Sequence, residues 1–172
     1  MGVENPRVGL ANVGTEEHKG DELRQETYKL LQKTPVNFIG NVEGRGLPMS
    51  ECDVAVCDGF TGNMVLKTIE GVGSFMGREV KNLFMKSAKT KVAALLVKSG
   101  LKEFKKKMDP DTIGGTAFLG ISKPVIKAHG SSGAFAIENA IYQAVHVAES
   151  GIIADIEANM DKMKGAVAEK GE

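Results

Sequence analysis

The sequence has little net charge, few cysteines, and no apolar run long enough to cross a bilayer. Lys plus Arg and Asp plus Glu each total 22, so the overall basic excess that most nucleic-acid binders use against phosphates is missing, and no nucleic-acid partner is expected. Only Cys52 and Cys57 are present, five positions apart in an apolar stretch. On a strand an odd separation sends them to opposite faces, so they are read as unbridged core residues, not metal ligands, in a reducing compartment. The longest apolar run, Val92 to Val97, is far short of the roughly 20 residues of a spanning helix. With no signal peptide recognised at Met1, the expected location is the cytosol. P-loop, HExxH, paired CxxC and GxSxG motifs are all missing, which leaves NTPase, zinc-hydrolase and serine-hydrolase readings without support.

What remains is a globular composition, 42% hydrophobic and 26% charged over 172 residues, read as a single α/β domain over 1–172. The 21 glycines cluster at the ends of apolar runs, where tight turns join regular elements. Arg7 to Asn12 reads as a buried strand, Asp21 to Lys33 as an amphipathic helix, and Val36 to Ile39 as a second strand. A glycine-rich turn, Gly40 to Pro48, leads to a third strand, Cys52 to Cys57. From Met64 to Phe84 apolar residues recur at helical spacing for about six turns. A lysine-rich helical stretch, Lys89 to Met108, and the turn Asp109-Pro110-Asp111 follow. Strands are then expected at Thr116 to Ile121 and Pro124 to Ala128, and a helix from Ala134 to Glu149 with Ser131 or Ser132 as N-cap. The tail beyond Met160 is expected to fray. Strands alternating with helices predict a layered α/β fold with a mainly parallel sheet.

In such a sheet, ligands bind beyond the carboxyl ends of the strands, where loops feed helix N-termini. Three segments have that form: Asn12 to Gly20 (NVGTEEHKG), Asp58 to Asn63 (DGFTGN), and Lys127 to Ser132 (KAHGSS). If their strands are parallel, all three line one edge. Gly59, Gly62 and Gly130 would admit an anion close to the backbone, and Thr61, Asn63, Ser131 and Ser132 add neutral donors. The competing reading is ordinary capping and turn chemistry. His129 is either a proton-transfer group or a hydrogen-bonded structural histidine, and Lys127 either faces a ligand or lies exposed at an edge.

Four collinear segments, NVGTEEHKG, NFIGNVEGR, CDGFTGN running into LKTIEG, and KPVIKAHGSS, resemble the phosphate acyltransferases of bacterial phospholipid synthesis, the PlsX family. The likeness runs from about Asn5 to Met160. It implies a three-layer αβα fold, isopropylmalate-dehydrogenase-like or phosphotransacylase-like, and transfer of a fatty acyl group from acyl carrier protein to inorganic phosphate without metal or organic cofactor. It implies a homodimer, and a chain lacking the N-terminal half of its relatives. It carries over Asp58, Gly59, Thr61, Gly62 and Asn63 as one active-site turn, His129, Gly130 and Ser131 as a second, and Asn12, Gly14, Glu16 and Lys19 as a third loop. Asn63 and His129 are the expected catalytic pair, with Lys127 beside them as a phosphate-binding candidate. The alternatives are a short-chain phosphotransacylase using acyl-coenzyme A, or a non-catalytic dimerisation and membrane-docking fragment.

Residues 86–108 hold eight lysines against one acid, Glu103, about +7 in a chain of zero net charge. Val92, Leu95, Leu96, Leu101 and Phe104 are interleaved with them, so this arm combines an apolar stripe with a cationic face. It is read as a protruding arm giving peripheral membrane contact, against the alternatives of a patch for the acidic carrier protein or a solvated surface.

Overall fold

A computed structural model describes residues 3–107 and 112–168. The turn expected at Asp109-Pro110-Asp111 and the end of the lysine-rich stretch at Met108 lie outside the described residues. The chain forms two compact units, one built from residues 1–69 and 160–172 and the other from residues 70–159.

The first unit is a parallel three-stranded sheet in the order β2-β1-β3, with β1 at Val8–Asn12, β2 at Phe38–Glu43 and β3 at Val54–Val56. The central strand is the core: Val8, Leu10 and Ala11 are buried, with Val42 beside them from β2. Burial of a side chain the size of Val or Leu stabilises by roughly 1.5–3 kcal/mol. Helix α1 (Glu22–Gln32) packs on β1 and β2. Asp21 caps it, its carboxylate accepting from the Arg24 N–H at 3.0 Å. This helix falls within one residue of the sequence reading, because the capping aspartate and Pro35 mark both ends.

Strand β2 differs from expectation. The sequence reading ended it at Ile39 and gave Gly40 to a turn, but the strand starts later and runs to Glu43. Gly40 takes φ +93°, and the register jumps there, Val8 pairing with Phe38 but Gly9 with Gly40. Ile39 is therefore the extra residue of a bulge, a use of glycine that a sequence pattern does not separate from a turn. The return to β3 contains only a 3-10 turn, Leu47–Met49, and Arg7 pins it. Its guanidinium donates to the Asp53 carboxylate at 3.0 Å and to the carbonyls of Glu51 and Ser50 at 3.0 and 2.8 Å. Strand β3 is consequently shorter than the expected Cys52 to Cys57, and both cysteines are free.

Helix α2 spans Gly59–Met85, longer than expected because it begins inside the segment read as a loop. In the second unit, the lysine-rich stretch forms two helices, α3 (Ala88–Leu96) and α4 (Lys98–Lys107). Val97, the C-cap of α3, separates them, where a β-branched residue precedes the weak helix formers Ser99 and Gly100. Strands β4 (Gly115–Ala117) and β5 (Ile126–Ala128) pair antiparallel, shorter than expected, and α5 (Ala134–Glu149) lies on both. That packing is close: a side chain on Gly114, at φ +81°, would strike the backbone of Ala136 and Ala140, both buried. The tail expected to fray instead continues as α6 (Ile152–Ala168). Among the described residues no helix is long and apolar enough to cross a membrane.

Candidate active site at the carboxyl edge of the parallel sheet

Two of the three predicted loops follow β1 and β3, parallel neighbours, and so share the carboxyl edge of one sheet. The third follows β5, which pairs antiparallel with β4 in a separate sheet. Strand pairing therefore does not give the His129 loop that same edge, and the expectation of three parallel strands fails for β5.

The loop after β1 is held by two amides. The side-chain NH2 of Asn12 donates to the Lys19 carbonyl at 3.0 Å and to Asn41 Oδ1 at 3.1 Å, while Asn12 Oδ1 accepts from the Val13 N–H at 2.8 Å. Asn41, buried on β2, donates in turn to the Glu16 carbonyl at 2.7 Å. Asn12 is thus committed at both ends to shaping the loop. Gly14 is buried against the side chains of Glu16 and Lys19, and Lys19 pairs with Glu16 at 3.9 Å. Gly20 sits at φ +88° against Asn12 and the Cβ of Arg24, so only glycine fits the close of the loop.

The segment after β3 is not a loop but the opening of α2. Asp58 caps it: Oδ1 accepts from the Thr61 N–H at 2.9 Å and Oδ2 from the Thr61 hydroxyl at 2.5 Å, and the Asp58 carbonyl accepts from the Gly62 N–H at 2.9 Å. The Thr61 hydroxyl, one of the neutral donors expected to face an anion, and the Thr61 N–H are therefore taken by this carboxylate. The Thr61 hydroxyl and backbone N–H, helped by the charge of Arg24 and the Phe60 N–H, hold the Asp58 carboxyl down to about 2 against some desolvation. Gly59 has open space beside its backbone, Gly62 abuts Cys57 Sγ, and Asn63 stands exposed in the second turn.

In the second unit the expected caps, Ser131 and Ser132, do not cap α5. Gly133 is the N-cap and makes no side-chain bond. Ser131 turns back to His129, its hydroxyl 2.8 Å and its N–H 3.3 Å from Nδ1. Because that N–H donates, Nδ1 accepts, and the neutral ring carries its proton on Nε2. The Ser132 N–H donates to the His129 carbonyl at 3.0 Å, while its buried hydroxyl has no hydrogen-bond partner among the described residues. Gly130 has open space beside it, and Lys127 is exposed on β5.

Sequence reasoning missed Asn41 and Arg24. The first lies within NFIGNVEGR and the second three residues after the capping Asp21, but a single sequence does not show that either reaches a distant loop.

A sequence model of a family described as "Fatty acid synthesis protein" matches residues 1–155. The chain belongs to that family. Its similar relatives include proteins named phosphate acyltransferase. One from Thermoanaerobacter pseudethanolicus is 47% identical over 161 residues, 94% of this chain and 48% of the relative. One from Lysinibacillus sphaericus is 50% identical over 155 residues, 90% and 47% of the two chains. A third, from Desulfitobacterium hafniense, is 48% identical over 167 residues, 96% and 50%. The chain thus spans about half the length of these family members.

Proposed function

We propose that this chain carries part of the active site of a phosphate acyltransferase that moves a fatty acyl group from acyl carrier protein onto inorganic phosphate. The observation that carries the reading is its near-half identity, across nine-tenths or more of its length, to relatives named for that activity. The carboxyl-edge geometry supports it for two of the three loops that resemble family active-site turns, the Asn12 loop and the Asp58 turn, which follow the parallel neighbours β1 and β3.

In the reaction, a phosphate oxygen attacks the thioester carbonyl, the tetrahedral oxyanion collapses, and the thiolate leaves and takes up a proton. Phosphate is already anionic at neutral pH, so positioning and oxyanion stabilisation carry most of the catalysis. Lys19, Gly14, Gly59 and Gly62 are assigned to the phosphate-binding edge, with Asn12, Asp58 and Thr61 fixing its shape and Asn63 donating to phosphate or oxyanion. His129, set by Ser131 beside Gly130 and Lys127, orients phosphate or protonates the leaving thiolate. The lysine-rich helices, on which Val92, Leu95, Leu96 and Phe104 are exposed and Leu101 half-buried, are assigned to peripheral membrane contact of a cytoplasmic homodimer. Loss of one oxyanion donor costs about 10²- to 10³-fold in turnover, and Asn63→Ala is expected to slow acyl phosphate formation on that scale. A wild-type rate for this variant removes Asn63 from the mechanism.

A further inference from the structure

The Arg24 guanidinium joins Asp21, the residue that follows the Asn12–Gly20 loop, to Asp58 and Thr61 of the other segment of the carboxyl edge. Its Nη1 donates to the capping Asp21 at 2.8 Å, and its Nη2 reaches the Asp58 carboxylate and, at 2.8 Å, the Thr61 hydroxyl. Its Cβ underlies Gly20, where an added methyl group would come within 2.9 Å. The side chain is only 20% exposed, so it is less screened and less free than a surface arginine. Gly20 follows Lys19, whose carbonyl receives the Asn12 amide. Hydrogen bonds and consecutive residues therefore connect Asn12 through Lys19, Gly20 and Asp21 to Arg24, and Arg24 to Asp58 and Thr61.

We propose that Arg24 is a positioning residue that locks the loop after β1 to the N-terminus of α2, so that the two segments hold one geometry. This rests on the proposed function only in what the edge binds; the mechanical link stands on the contacts alone. Arginine suits the position because its planar fork serves two acceptors on different elements at once, which the single ammonium of lysine does not reproduce. It also offsets the negative charge of Asp58 at an edge assigned to an anion.

The test is hydrogen exchange by NMR on the whole chain, read at the Thr61 backbone N–H and the Asn12 side-chain NH2, with Leu10 of β1 as a control for folding. In Arg24→Gln both probes are expected to exchange about tenfold faster, the scale of one lost charged hydrogen bond, while Leu10 keeps its protection. Arg24→Lys is expected to restore less than half of the loss. Acceleration at Thr61 alone, or at neither probe, overturns the proposal. Should Leu10 also lose protection in Arg24→Gln, Asp58→Asn takes its place: loosening of the Asn12 amide supports the link, and an unchanged Asn12 overturns it. Titrating inorganic phosphate into the wild type separates the two claims. No shift at Gly14 or Gly59 counts against the proposed function, while the link through Arg24 still stands or falls with the exchange rates.

Discussion

Asp58 receives bonds from the hydroxyl and backbone N–H of Thr61 and from the guanidinium of Arg24. Its carboxyl is depressed from 3.8 to about 2. A folded-state value below the unfolded one means that the stabilising contribution is complete above the unfolded value and disappears as pH falls through the folded one. The urea midpoint of the wild type should therefore exceed that of Asp58→Asn by a constant margin above pH about 4, and the margin should close between about 4 and 2. A margin that persists at the acid end would show that the carboxylate charge contributes nothing. The Asn12 and Asn41 pair works at the same scale without charge, an amide from each of two strands holding the loop between them.

At the scale of elements, α2 contains glycines at positions where helix gains nothing from them. Gly71 and Gly77 have open space where a side chain would go and are not at positive φ. Alanine at either position should raise stability by about 0.5–1 kcal/mol through lower unfolded-state entropy, measured as a shift in the denaturant midpoint. A loss of stability would mean that the exposed face of α2 is covered in solution. Helix α1 was legible to within a residue because Asp21 and Pro35 bracket it; the span of α5 was legible too, but not its cap, since Gly133 takes the N-cap position expected of Ser131 or Ser132. The bulge at Gly40 was not, because glycine at positive φ serves turns and bulges alike. Nor was the start of α2 at Gly59, because Asp58-Gly-Phe-Thr has the composition of a loop as well as of a cap. The side chains that brace the candidate site, Arg24 and Asn41, act 34 and 25 residues away along the chain, a separation that local pattern does not record.

At the scale of the whole molecule, a chain of zero net charge concentrates about +7 in residues 86–108. Each lysine near an anionic surface is worth about 1 kcal/mol. The chain is expected to co-sediment with vesicles containing phosphatidylglycerol, to stay in solution with purely zwitterionic ones, and to be released by about 0.5 M salt as charges are screened. Equal binding to both lipids would contradict an electrostatic role for the arm. The proposed acyl transfer to phosphate is what one assay addresses directly. The purified chain is incubated with palmitoyl-acyl carrier protein and inorganic phosphate, and acyl phosphate is trapped with hydroxylamine. Phosphate-dependent hydroxamate is the predicted result; none from a chain with a folded circular-dichroism spectrum would contradict catalysis by it.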